Sequence, residues 1–251
     1  MIFYFSATGN SKYVATRLQE DGETLISVAD AVKNGVYHYQ TEDEKTGFVF
    51  PTYFWSLPSI VTEFLEKLTL KSPAKSYVYF VATYGTTTGA ASARTRALLR
   101  NKGIHLDACF DIRMPDTWTP VFDLSDPDQV AETNRRAEAQ IEELQEQVRN
   151  RTTGKHMGLT APLIVGRFSE WLYEKQRVTA SFSVDGTCIG CDLCVKKCPV
   201  RAIELRDQKP VWVRETCVLC LGCLHRCPTF SIQRGPNTRK HGQYVNPHVK
   251  I

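Results

Sequence analysis

The sequence predicts an α/β chain: a doubly wound parallel sheet over residues 1–150, followed by a small α+β module rich in cysteine. Three observations carry this. Short apolar segments alternate with helical patterns over the first 112 residues, the order that builds a parallel sheet with helices on both faces. Eight of the nine cysteines fall in two similar runs between residues 188 and 227. Those runs also carry the one internal repeat, with Cys-Pro-Val-Arg-Ala-Ile203 matching Cys-Pro-Thr-Phe-Ser-Ile232.

Strands are expected at 2–6, 24–28, 46–50, 77–83 and 105–112, each short, apolar and rich in β-branched or aromatic residues. Helices are expected at 10–19, 59–67 and 90–100. No element is assigned to 29–43. A longer helix is predicted over 127–149, capped by Ser125, with Val130, Ala137, Ile141, Leu144 and Val148 on the stripe that meets the sheet. Two glycines and several polar residues make 151–158 a linker. Residues 162–175 form a second amphipathic helix, whose Ile164, Phe168, Trp171 and Leu172 are expected to pack between the two domains. The resulting division is 1–150, 151–180 as linker and interdomain helix, 181–235 as the cysteine module, and an extended tail at 236–251.

Composition excludes several classes. No run of 18 apolar residues exists, so no membrane-spanning helix is expected. Met1-Ile-Phe-Tyr-Phe5 lacks a basic leader and reads as a buried strand. A cytoplasmic location is expected, in agreement with thiolates that must stay reduced. The formal charge is +4; residues 181–235 carry 8 basic and 5 acidic side chains, and the tail carries Arg239, Lys240 and Lys250 with no acidic side chain. Such an excess would steer an acidic redox partner, although an ordinary solvated surface explains it more simply. No basic stripe with interleaved aromatics points to nucleic acid.

The cysteine runs read Cys188-Ile-Gly-Cys191-Asp-Leu-Cys194-Val-Lys-Lys-Cys198-Pro199 and Cys217-Val-Leu-Cys220-Leu-Gly-Cys223-Leu-His-Arg-Cys227-Pro228. Each has the C-x2-C-x2-C-x3-C-P spacing that holds [4Fe–4S] clusters, in which the cysteine before proline reaches across to the other cluster. Cys188, Cys191, Cys194 and Cys227 are therefore assigned to one cluster, and Cys217, Cys220, Cys223 and Cys198 to a second. Gly190 and Gly222 are expected to let backbone approach the clusters. Ile189, Ile203, Val218 and Ile232 are expected to shield them from water. Structural zinc favours C-x2-C pairs with a longer spacer and explains a doubled four-cysteine run poorly. Cys109, in a predicted strand, reads as a buried small hydrophobe, and His225 as a surface residue.

A second site is expected at the carboxyl edge of the sheet. Ser6-Ala-Thr8-Gly9-Asn10-Ser11 joins a strand to a helix, where backbone amides and hydroxyls suit a phosphate. It has no lysine in the position a nucleoside triphosphate would need. Pro51-Thr52-Tyr53-Phe54-Trp55 and Thr83-Tyr84-Gly85 with Gly89 follow the third and fourth strands, at the edge where such sheets bind ligands. Three consecutive aromatics in a loop are explained by something flat and apolar to cover, and Gly85 and Gly89 by close backbone approach to a ring.

These three loops resemble the FMN-contacting loops of flavodoxins, over roughly residues 1–150, and the paired cysteine runs resemble bacterial 2[4Fe–4S] ferredoxins. The whole order, with the Gln243-Tyr-Val-Asn-Pro-His-Val-Lys250 tail, is similar to the flavodoxin–ferredoxin fusion proteins of anaerobic bacteria. The resemblance implies a flavodoxin-like sheet with a ferredoxin-like two-cluster domain. It places Ser6, Thr8, Gly9, Asn10 and Ser11 on the FMN phosphate, Thr52 and Thr83 by the ribityl chain, and Tyr53, Trp55, Tyr84 and Gly85 by the ring. Flavodoxins tend to be acidic and this domain is nearly neutral; Ala7 replaces a common hydroxyl or glycine.

The expected function is electron transfer between two [4Fe–4S] clusters and FMN, which couples one-electron carriers to flavin chemistry, with a redox partner protein or small acceptor at the far end. One alternative is a flavin-dependent reductase with its own acceptor pocket, roofed by 113–124, with Arg113, Asp116, Trp118 and His105 as candidate groups. A redox or oxygen sensor is the other. No second glycine fingerprint supports direct nicotinamide oxidation.

Overall fold

The computed structural model describes every residue except Ala74 and Leu159. The chain opens with β1 (Ile2–Tyr4), α1 (Asn10–Leu18), β2 (Leu25–Ser27), α2 (Val28–Asn34) and β3 (His38–Gln40). Then come β4 (Lys45–Pro51), α3 (Ser59–Lys67), β5 (Thr69–Lys71), β6 (Tyr77–Tyr84), α4 (Ala91–Arg100) and β7 (Ala108–Arg113). After α5 (Pro127–Arg149), β8 (Gly154–His156) and α6 (Leu163–Gln176), the cysteine module adds β9 (Phe182–Val184), α7 (Leu193–Lys196), β10 (Ile203–Arg206) and β11 (Lys209–Trp212). It closes with α8 (Gly222–His225), β12 (Ile232–Arg234) and α9 (Thr238–His241).

Six strands pair in parallel in the order β2-β1-β4-β6-β7-β8, the doubly wound α/β sheet that the alternation predicts. Both faces are buried, so Phe48–Pro51 of β4 and Tyr77–Ala82 of β6 run apolar without a break. Phe3, Phe48, Phe50 and Phe80 face one core with α3 and α4, and Val49, Val81 and Ile112 face the other with α1 and α5. Phe3 stacks on Phe48 with ring centroids 5.3 Å apart. No helix among the described residues is long and apolar enough to cross a membrane.

The long helix spans the predicted residues and buries Ala137, Ile141, Leu144 and Val148. Its cap is Asp126 rather than Ser125: the Asp126 carboxylate accepts from the amides of Asp128 and Gln129, with Pro127 at the first helical position. The unassigned 29–43 stretch holds α2, capped by Ser27 through Asp30 N–H, and the edge strand β3. The fifth strand begins at Ala108, later than expected, because the amide of Asp107 bonds the Val78 carbonyl and its carboxylate accepts from Val78 N–H. The expected linker is also different. Gly154–His156 adds a sixth strand beside β7, which carries the sheet beyond residue 150.

The helix α6 does lie between the two halves of the chain, but turned about. It buries Gly166, Ser169 and Tyr173, whereas Ile164, Phe168 and Trp171 are exposed. Gly166 explains the choice: a Cβ there would stand 2.6 Å from the Ala90 Cβ, so the small face sits against the start of α4. In the segment expected to be extended, Thr238–His241 makes one helical turn.

Phe80 has no solvent exposure and sits among Phe48, Phe50 and Phe64. Phe80→Ala is expected to cost ~3–5 kcal/mol, read as a fall of roughly 10 °C in the thermal midpoint. Val36→Ser, at a 45% exposed position, should leave the midpoint in place.

Candidate functional site

The carboxyl ends of β1, β4, β6 and β7 open into one cavity of about 350 Å3. Parallel sheets bind ligands at this edge, beside the strand from which the chain winds both ways. Ser6, Thr8, Asn10, Ser11, Thr52, Tyr53, Trp55, Thr83, Tyr84 and Gly85 all line it. Gly9 does not. It adopts φ 101° and turns to the C-terminal tail, where a Cβ would come 2.7 Å from the Asn246 Cβ. The Asn10 carboxamide is also engaged: its oxygen accepts from Tyr244 and Asn246 and its nitrogen donates to Pro115 O.

The aromatic loop after β4 is a tight reversal. Tyr53 and Ser56 exchange both backbone hydrogen bonds at 2.9 Å, and Phe54 and Trp55 between them have φ of 46° and 59°. Bulky residues are uncommon there, and such strain concentrates at ligand sites. Gly89 accommodates this loop rather than a ring, since its Cβ would lie 2.2 Å from Trp55 O. Gly85 likewise gives way to Asp116, whose Cβ would be 2.2 Å from a Cβ at that position. The Asp116 carboxyl is raised by burial, against hydrogen bonds from Trp118 N–H and the Thr86 hydroxyl. Asp116 and Trp118 line the cavity; His105 and Arg113 lie outside it and exposed.

Polar groups near the phosphate loop are mostly paired. Ser11 and Thr83 share a hydroxyl–hydroxyl bond of 2.8 Å, and Ser6 Oγ accepts from Gly9 N–H. The Thr52 hydroxyl is different: it is buried at the cavity wall with no partner among the described residues. A buried unsatisfied hydroxyl is costly, and a polyhydroxylated ligand chain beside it would supply the missing bond.

The eight thiols separate into two sets. Cys188, Cys191, Cys194 and Cys227 line one small cavity, and Cys198, Cys217, Cys220 and Cys223 another. Among the described residues no group of His, Cys, Asp or Glu closes tightly enough to hold a single ion. Burial pushes the Cys194 thiol up to about 11 and the Cys220 thiol to about 12, and raises Cys217 and Cys223 as well. Burial also opposes the Cys227 thiolate, but hydrogen bonds from Ser231 and Thr229 outweigh it and lower that thiol. Four sulfur donors in an apolar enclosure fit a cation-rich cluster, which stabilises thiolates that burial alone disfavours.

Ile203, Val218 and Ile232 are buried as expected, but Ile189 is 66% exposed. A Cβ on Gly190 would strike the Gln208 side chain and carbonyl, and one on Gly222 would strike the Arg226 side chain. Cys109 is buried as anticipated, near the Arg96 guanidinium.

Two residues join the two sites. Cys220 and Leu221 line both the large cavity and the second thiol cavity, with Leu219 beside them in the large one. The sequence match agrees with this division: the flavodoxin domain matches residues 1–143 and the 4Fe-4S dicluster domain matches residues 187–232. The chain belongs to the flavodoxin family.

The flavodoxin domain precedes the iron–sulfur domain, the order of a flavodoxin–ferredoxin fusion, and the pair makes flavin and iron–sulfur electron transfer its chemistry. No curated protein matches the chain. Similar solved structures include rubredoxin oxygen:oxidoreductase from the anaerobe Desulfovibrio gigas, at 14% identity over 58% of this chain and TM-score 0.35. This chain spans 36% of that protein's length. The Trp repressor binding protein of Bacillus subtilis has 12% identity over 61% of this chain and 99% of its own, TM-score 0.36. A Fusobacterium nucleatum flavodoxin bound to flavin mononucleotide has 14% identity over 59% and 96%, TM-score 0.33.

His225, like Gly9 and Ile189, lies elsewhere than sequence reasoning places it. It is 3% exposed, donates from Nε2 to Thr117 O at 2.8 Å and accepts Tyr244 N–H at Nδ1. Burial holds its pKa down at about 4, against an ordinary 6.5, in spite of the bond to Thr117. A depressed base is neutral when folded, so its contribution is intact above pH 6.5. It is lost as pH falls from there to about 4, the range in which the unfolded chain carries the proton and the folded chain does not. In anaerobic urea unfolding, stability is expected to fall as pH drops from about 7.5 to about 5.5, with this group contributing to the slope. His225→Gln should flatten that slope; an unchanged slope would contradict it.

Proposed function

We propose that the chain is an electron carrier in which Cys198, Cys217, Cys220 and Cys223 hold the [4Fe–4S] cluster next to FMN. Cys188, Cys191, Cys194 and Cys227 hold a second, outer cluster. The double role of Cys220, in the wall of both cavities, is the observation that carries this arrangement. When bound, the clusters supply one-electron steps and the flavin supplies one- or two-electron steps.

Each part of the chain then has a defined task. The first-turn amides of α1 have no intrahelical partner and, with Ser6, Thr8 and Ser11, suit the FMN phosphate. The Thr52 hydroxyl takes the ribityl chain, and Tyr53, Trp55, Tyr84 and the Gly85 backbone flank the ring. Residues 219–221 close the cavity on the cluster side, and Trp118, Val121 and Phe122 roof it. Together they keep water from the ring and lower the dielectric around it. At the outer set Cys191 is exposed and Ile189 stands in solvent, which suits contact with a redox partner protein or small acceptor.

The reductase alternative is less well supported. About 350 Å3 is at the small end of ligand pockets, roughly 300–1,000 Å3. A cavity of that size is filled by one flavin.

Anaerobic reconstitution is expected to give about eight irons, about eight sulfides and one FMN per chain. Fewer than about four irons would overturn the two-cluster arrangement; failure to take up FMN would overturn the flavin assignment. Cys227→Ser should remove about half the iron and leave the flavin spectrum alone. Cys220→Ser should remove about half the iron and perturb the flavin spectrum as well.

A further inference from the structure

We propose that the C-terminal segment 243–250 is a working part of the flavin site: it latches the phosphate loop to the cluster loop, so that tail closure and FMN binding reinforce each other. This rests on the flavin assignment above.

The segment grips the cluster side first. Gln243 Nε2 donates to Leu224 O and Cys227 O, at 2.6 and 2.9 Å. Tyr244 N–H then donates to His225, which itself holds the roof at Thr117 O. Two residues further on, the segment reaches the phosphate loop. Asn246 N–H donates to Thr8 O at 2.7 Å, and Tyr244 Oη and Asn246 Nδ2 meet Asn10 Oδ1 at 3.0 and 3.3 Å. Tyr244 and Asn246 are 6% and 2% exposed. Polar groups buried this deeply and paired this fully mark a fixed element, since each would be costly to bury unpaired.

The loop is held in one particular way. The Thr8–Gly9 peptide is pinned at both ends, its carbonyl by Asn246 and its N–H by Ser6 Oγ. Gly9 faces the tail and leaves no room for a side chain. The tail therefore occupies the outer side of the loop, and the cavity with the free first-turn amides lies on its inner side. An anion on the inner side and the tail on the outer side do not compete. Both select the same loop conformation, so each strengthens the other, and by linkage the coupling must be reciprocal.

The test uses the full cluster-loaded chain. FMN should slow hydrogen exchange at the Tyr244 and Asn246 amides. Tyr244→Phe, which leaves the iron content unchanged, should weaken FMN binding by roughly 5–10-fold. Removal of 243–251 should weaken it further, and Val245→Ala, at a 38% exposed position, should change neither measurement. Exchange that ignores FMN, or an FMN affinity that ignores Tyr244→Phe, overturns the proposal, and one effect without the other does so too because coupling is reciprocal. Failure of the wild-type chain to take up FMN would instead remove the flavin assignment beneath it.

Discussion

The structure depends on the burial of Val218. This residue lies between two cysteines of the second run, yet its side chain is 1% exposed and belongs to the core of the flavodoxin sheet. Its carbonyl accepts a hydrogen bond from Tyr173, whose ring also meets Tyr53 and Phe54 of the aromatic loop. A residue anchored in one domain's core fixes its neighbours to within a bond or two. Cys217 and Cys220 therefore cannot drift from the sheet, and Cys220 is delivered to the cavity wall. A linker alone would leave the domains to diffuse, because interfaces between domains are ordinarily polar and mobile.

The same constraint explains why the roof is ordered. Residues 114–122 form an irregular segment over the cavity, and such a loop would normally be mobile. Three side chains hold its carbonyls: His225 of the cysteine module at Thr117, and Asn237 and His241 of the tail at Pro120 and Thr119. Arg234 adds a cation–π contact, its guanidinium 4.9 Å from the centre of the Trp118 ring. The flavodoxin domain thus supplies the roof, and the iron–sulfur domain together with the tail supplies what holds it down.

What the sequence discloses divides along the range of the interactions. The cysteine spacing and the helix α5 are local patterns, set by ligand reach and by a 3.6-residue period, and both are legible. The three cavity loops are legible because a parallel sheet brings the ends of its strands to one edge. The orientation of α6 is not, since it depends on how closely Gly166 approaches Ala90, a contact between residues far apart in the chain. Period analysis follows the larger side chains, and here the smaller ones are buried. His225 was misread for a related reason: its partners, Thr117 and Tyr244, come from two distant segments. Gly9 matches the phosphate-loop pattern, and only the path of the tail shows that it serves the outer side.

The two cofactor sites are consequently not independent modules in tandem. The wall at 219–221 belongs to the second cysteine run, where Leu219 and Leu221 both adopt left-handed backbone, at φ 58° and 53°. Non-glycine residues hold that conformation only when their surroundings over-determine it. The half-buried thiols of Cys220, within this wall, and Cys223, just after it, are pushed far from ionisation by desolvation. Metal ligation is what converts such thiols to stable thiolates and fixes the loop that carries them. On the proposed assignment, ligation at these thiols would hold the 219–221 wall of the large cavity as well.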